Sequence, residues 1–274
     1  MSNSIANLLS NQGIGAALPM LERRMLVMHA LNKTRVELIT QADYELSEQE
    51  FHIVQTLFER RNQGEPVAYI LGQREFFGLD LRVTKDVLIP RPDTELLVEL
   101  SLKFAPPNSE LLDVGTGSGA IAIAVAHQRP DLSVWAADIS AAALEVARTN
   151  ADTHRCKITF IESDWYNNLP THQWHTIVSN PPYIVANDSH LFQGDLRFEP
   201  ISALTDHGDG LSAYRALIAG AVIRLHAGGW LLFEHGFDQA EPVRALLHAA
   251  QFQQVQSWRD LAGIERVSGG QFSA

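Results

Sequence analysis

The sequence predicts an α/β fold: a doubly wound, seven-stranded, mostly parallel sheet, preceded by a smaller helical domain and joined to it by a β-hairpin. Three observations point there. From about residue 110, short apolar runs alternate with helical stretches, the order that builds a parallel sheet with helices on both faces. The first 72 residues hold helical stripes and no strand-like alternation. Two late apolar runs, 255–258 and 266–268, have no helix between them and read as a terminal antiparallel hairpin.

The helical domain spans residues 1–72. Leu18, Leu21, Met25 and Met28 are spaced three, four and three apart, one apolar stripe on a helix. Ser47 and Glu50 make a capping box ahead of Phe51, Val54, Leu57 and Phe58, and Asn62-Gln63-Gly64 ends that helix. Residues 73–88 are the linker, where 75–77 and 79–83 alternate on either side of Gly78 as a hairpin. The third segment is 89–274. Pro90 and Pro92 hold its entry extended, and Asp93 opens a short helix through Leu96, Leu97 and Leu100. Strands follow at 111–114, 133–138, 158–161, 176–179 and 230–233. Helices lie at 120–128, from the Ser140 cap to Asn150, from Leu211 to Leu225, and through Val243 and Leu247.

The composition excludes several classes. With 46% hydrophobic and 19% charged residues the chain is not a disordered one. A net charge of −11 weighs against free DNA or RNA, whose affinity rests on phosphate neutralisation, and in favour of a basic protein partner. Lone Cys156 forbids an internal disulfide; it reads as a surface thiol at a strand start, although Arg155 and Lys157 flank it. No signal peptide or membrane span is legible, and a soluble, cytoplasmic monomer is expected. The 11 histidines show no ligand spacing, so no metal is expected.

Two motifs carry chemistry. Gly115-Thr116-Gly117-Ser118-Gly119 follows the first strand and opens a helix, where small residues let a ligand approach the main chain and the helix N-terminus favours an anion. Asp138 ends the next strand and can accept both ribose hydroxyls of an adenosine. Gly115, Gly117 and Ala120 fit a dinucleotide turn equally well. Asp113 at the strand end and the tight 117/119 spacing favour a nucleoside–methionine ligand over NAD.

Asn180-Pro181-Pro182-Tyr183 follows the fourth strand and faces the same crevice. The Asn180 side-chain oxygen and the Pro181 carbonyl are acceptors that can grip both hydrogens of one NH2 group. The prolines hold the carbonyls still and add no competing N–H, and Tyr183 offers a flat face to a planar amide or base. Pulling on both hydrogens of an amide makes its nitrogen more tetrahedral and frees its lone pair to attack a methyl group.

Together with residues 88–95, 195–200 and 265–267, these motifs resemble the class I methyltransferases that act on amino or amide nitrogen. Within that class the chain resembles the HemK-type glutamine N5-methyltransferases of class 1 release factors, over nearly its whole length. The resemblance implies S-adenosylmethionine as methyl donor. Gly115 to Gly119 would cradle its methionine end, Asp138 its ribose, and Asp164 and Trp165 its adenine. Asn180 would touch both donor and substrate amide, with Pro181, Pro182 and Tyr183 completing the catalytic pocket. The N-terminal helices would dock the release factor, whose Gly-Gly-Gln loop presents the glutamine. Arg91, Glu95 and Arg197 receive no step. The sister family acting on a ribosomal protein lacks the run at 91–95. A DNA or RNA amino-group methyltransferase shares the tetrapeptide but needs phosphate contacts, and a non-catalytic binding module would not need the full set. His235 reads as structural. The chain's own Gly269-Gly270-Gln271 reads as a coincidence at a frayed terminus.

Overall fold

The computed structural model describes residues 3–10 and 13–273, and divides into two compact units, Met1–Gln73 and Arg74–Ala274. The first is helical: α1 (Ile5–Leu9), α2 (Met20–Leu31), α3 (Arg35–Thr40), α4 (Glu48–Asn62) and α5 (Val67–Leu71). The Ser47–Glu50 capping box forms, with both reciprocal bonds present, and Val54, Leu57 and Phe58 of α4 are buried.

The stripe expected on α2 is corrected. Pro19 is the N-cap, so Leu18 lies before the helix, and Leu21 is 70% exposed. The buried residues of α2 are Arg23, Leu26 and Val27. Arg23 turns inward, where its guanidinium donates to the Leu9 and Ser10 carbonyls at the end of α1.

β1 (Gln73–Phe76) and β2 (Leu79–Arg82) form a two-stranded sheet. Phe77 and Gly78 turn between them at φ 52° and 77°, the left-handed pair that matches strand twist. Glu95 accepts from the Phe77 amide at 3.0 Å and Glu75 from that of Gly78 at 2.7 Å.

The second unit continues α6 (Glu95–Phe104), β3 (Glu110–Val114), α7 (Ala120–Gln128), β4 (Ser133–Asp138), α8 (Ala141–Thr153), β5 (Ile158–Glu162), β6 (Trp174–Ser179), α9 (Ile201–Leu204), α10 (Ser212–Arg224), β7 (Leu225–Glu234), α11 (Ala240–Ala249), β8 (Gln253–Arg259) and β9 (Glu265–Gln271). The seven strands run β5-β4-β3-β6-β7-β9-β8. β3 to β7 are parallel, and β9 is antiparallel to both β7 and β8. The strand order reverses between β3 and β6, the place where a ligand crevice opens beyond the carboxyl ends. Apolar clusters cover both faces, one centred on α6 and α7, the other on α10 and α11.

β7 starts five residues earlier than the apolar run at 230, with a register shift opposite Trp174 to Thr176. Gly228 and Gly229 sit within this irregular stretch and mask the strand in the sequence. Gly269-Gly270-Gln271 is no frayed terminus. It pairs with β7 and β8 together, and a Cβ on Gly269 would meet the Leu231 carbonyl oxygen at 2.5 Å. Glycine is there because strand packing leaves no room for a side chain.

Candidate functional site

The glycine turn is built by backbone conformations that other residues adopt at a penalty: Gly115, Gly117 and Gly119 have φ of 79°, 56° and 84°. The amides of Gly115 and Thr116 both donate to the Ala137 carbonyl, at 2.8 and 3.0 Å, which ties the turn to the end of β4. Asp138 accepts from the amides of Gly117 and Ser140 at 2.8 and 2.9 Å. This carboxylate therefore shapes the turn, and burial raises its pKa.

A cavity of 460 Å³ opens at the carboxyl ends of β3, β4 and β6, within the size range of small-ligand sites. Gly115, Thr116, Gly117 and Ser118 line it on one side, and Asp138, Asp164 and Trp165 on another. Asn180 and Pro182 close it beside Arg91 and Thr94. A Cβ on Gly117 would meet nothing within 4 Å, and one on Gly115 only Ser179 Oγ at 4.0 Å. That is the open backbone a nucleoside–amino acid ligand needs. Gly119 differs: it does not line the cavity, and a Cβ there would meet Ile123 Cδ1 at 2.8 Å and Ala147 Cβ at 3.1 Å. Its small size serves the packing of α7 on α8.

Asp113 does not face the ligand space, which corrects the expectation that its acid at the strand end bears on the ligand. It is fully buried, and its Oδ2 accepts from the Thr116 hydroxyl at 2.7 Å, inside the turn. Burial pushes its pKa up to about 7.

The Asn180 Nδ2 donates to Thr94 Oγ1 at 3.2 Å, which leaves the Asn180 oxygen to accept from a ligand. Pro181 is buried and Tyr183 half-buried, and neither lines the cavity. The Tyr183 carbonyl is held by Gln239 Nε2 at 3.0 Å, and burial raises its phenol pKa.

Arg91 pairs with buried Glu199, whose other oxygen accepts from the Ile89 amide at 3.0 Å. This tie holds the proline-rich strap against the cavity rim. Thr94, Glu199, Gln239 and Asn150 are functional neighbours that sequence spacing misses. Asn150 alone gives three bonds, to the Arg82 amide and carbonyl and to the Ser118 carbonyl. Thr94 and Glu199 had a signal, their places in the runs 88–95 and 195–200. Burial raises the Cys156 thiol pKa rather than lowering it. Buried His235 bridges the Gly236 carbonyl and Ser268 Oγ, each at 2.8 Å, a structural role.

At the opposite strand ends, Glu110, His175 and His226 bring possible ligand atoms within 4.8 Å of one another. Strand register makes this cluster, so no sequence spacing announces it. Its groups are partly engaged already: the Glu110 amide donates to His175 Nδ1 at 3.3 Å, and His172, outside the cluster, meets the Glu110 carboxylate through Nε2 at 2.9 Å. Among the described residues no helix is long and apolar enough to cross a membrane.

Residues 3–72 match the family described as PrmC N-terminal domain, and residues 92–195 the Methyltransferase small domain. A release factor glutamine methyltransferase of Burkholderia pseudomallei (strain K96243) is 52% identical over 261 residues, 91% of each chain. That of Neisseria gonorrhoeae (strain ATCC 700825 / FA 1090) is 50% identical over 257 residues, 93% of this chain and 94% of that one. A solved methyltransferase from Pyrococcus furiosus shares the fold, with a TM-score of 0.56 and 17% identity over 79% of this chain and 98% of that one. With half of its residues identical to such relatives over nine-tenths of its length, the chain belongs to the release factor glutamine methyltransferase family.

Proposed function

We propose that the chain methylates the side-chain amide nitrogen of the Gly-Gly-Gln glutamine in class 1 release factors, with S-adenosylmethionine as donor. The observation that carries this reading is Asn180: its NH2 group is bound to Thr94 while its oxygen is left to accept at the rim of a 460 Å³ cavity. When bound, S-adenosylmethionine supplies an electrophilic methyl group on a sulfonium. The glycine turn, through Gly115 to Ser118, would hold the methionine end, Asp138 would accept from the ribose, and Asp164 and Trp165 would flank the adenine. Asn180 Oδ1 and the Pro181 carbonyl each accept one hydrogen of the glutamine NH2. Pro182 lines the cavity and completes the wall. The donor held there would supply its methyl to the amide nitrogen, whose surplus proton would then leave to water. No strong base is needed, so fixed dipoles and proximity supply the rate.

The N-terminal unit docks the release factor. Its Leu21, Val36 and Ile39 are 70%, 67% and 69% exposed, apolar surface available to a protein partner. A net charge of −11 favours a basic protein and disfavours free nucleic acid. The chain works as a monomer in the cytoplasm and needs no metal. Incubation with labelled donor, an unmodified release factor and mixed nucleic acid tests the reading. Label on the Gly-Gly-Gln peptide, lost when that glutamine is changed, is expected. Label in nucleic acid alone would refute the substrate.

A further inference from the structure

The amide of Asn180 looks nearly the same either way round, yet only one orientation suits a substrate NH2 group. Oδ1 toward the substrate accepts; Nδ2 toward it would oppose donor to donor. Something must therefore fix the flip. The sheet register supplies a candidate. Ser179 of β6 pairs with Phe233 of β7, so the next residues, Asn180 and Glu234, end neighbouring strands side by side. Glu234 is 2% exposed and Thr94 4% exposed. The Thr94 hydroxyl and the Asn180 side chain lie near the Glu234 carboxyl and favour its charged form, and its Oε2 has no hydrogen-bond partner among the described residues.

We propose that Glu234, acting through Thr94, is a positioning residue that locks the Asn180 amide with its oxygen toward the substrate nitrogen. This rests on the functional reading above. The lock is a matter of polarity. An ionised Glu234 only accepts, so the Thr94 proton points to it, and Thr94 Oγ1 is left to accept from Asn180 Nδ2, the 3.2 Å bond observed. A protonated Glu234 donates instead. The Thr94 proton is then free to turn toward Asn180, which admits the flipped amide. Burial holds the Glu234 carboxyl up at about 7, so both forms are accessible near neutral pH. The charged groups facing it are Asp93, which raises its proton affinity, and Arg266, which lowers it; these two lie 3.6 Å apart. The Tyr183 and Tyr214 hydroxyls also face it and stay protonated, and Tyr214 donates to the Glu234 main-chain carbonyl at 3.0 Å.

Two readouts on the full chain test the lock. The first needs no substrate: the ¹⁵N side-chain NH2 signal of Asn180, assigned by its loss in Asn180→Asp, is followed from pH 5.5 to 8.5. A wild-type midpoint near 7 that disappears in Glu234→Gln is expected; an unchanged midpoint in that variant overturns the proposal. The second is steady-state methylation of a release factor. Wild-type kcat is expected to fall about tenfold per pH unit below the midpoint, and Glu234→Gln to flatten that limb. Thr94→Val is expected to lose tenfold or more in kcat, with release-factor KM and donor affinity within threefold of wild type, and Thr94→Ser to restore it. Thr94→Val at wild-type kcat, or Thr94→Ser no better than Thr94→Val, overturns the proposal. A wild-type chain whose Asn180 signal titrates as described but which never labels a release factor would refute the functional reading alone and leave the lock standing.

Discussion

Asn150 is the side chain whose loss the structure grades most directly. It is 1% exposed on α8, and its carboxamide is fully used. Oδ1 accepts from the Arg82 amide at 2.7 Å, and Nδ2 donates to the Arg82 carbonyl at 3.0 Å and the Ser118 carbonyl at 2.9 Å. Asn150→Ala removes all three bonds and strands one amide and two carbonyls. At about 1 kcal/mol for each net bond, the loss is about 3 kcal/mol. For a cooperative unit of this size that lowers Tm by roughly 6–12 °C in scanning calorimetry. Ser118 lines the cavity, so donor affinity measured by titration calorimetry should weaken too. Asn150→Asp is the informative control. It can still accept from Arg82 N–H but faces two carbonyl oxygens with a charge, and should be no more stable than Asn150→Ala. An alanine variant within about 2 °C of wild type, or an aspartate variant at wild-type stability, would refute the hydrogen-bond accounting.

Three further outcomes follow from the site. Asn180→Ala should lower turnover by roughly two to three orders of magnitude while retaining donor binding, read by label transfer and calorimetry, because one oriented transition-state partner is gone. Gly119→Ala combines a φ of 84° with a Cβ 2.8 Å from Ile123 Cδ1, and should cost about 2–4 kcal/mol in urea unfolding. Asp113 has its pKa raised to about 7 in the fold, so its stabilisation is present below its unfolded pKa and is lost as pH rises through about 7. Asp113→Asn escapes that loss; its unfolding free energy relative to wild type should climb between pH 5 and 8, by about 3 kcal/mol at most, and a flat difference would refute the assignment.

What the sequence made legible was local. The glycine turn, the Ser47–Glu50 box and the strand–helix alternation each depend on a few consecutive residues, and each formed as read. What stayed hidden was set by partners far along the chain. Arg23 looks like a solvent residue until the ends of α1 and α2 meet. Gly269 and Gly270 look like a loose end until β9 slots between two strands. Thr94 sits in the run 88–95 but nothing there pairs it with Asn180, 86 residues on, whose amide it binds, and Glu234 carries no motif of its own. Gly119 belongs to the motif by spacing, yet its steric reason is Ala147 on another helix.

The insertion of β9 between β7 and β8 has a consequence for how the chain is made. Synthesis delivers β7 first, then β8, and only then the strand that must separate them. Until residues 265–271 emerge, β7 keeps an unpaired edge and β8 has no ladder to join, an arrangement open to pairing with another nascent chain. The sheet is thus closed by a late-arriving wedge. A chain interrupted at 260 would be less a shortened enzyme than an adhesive one.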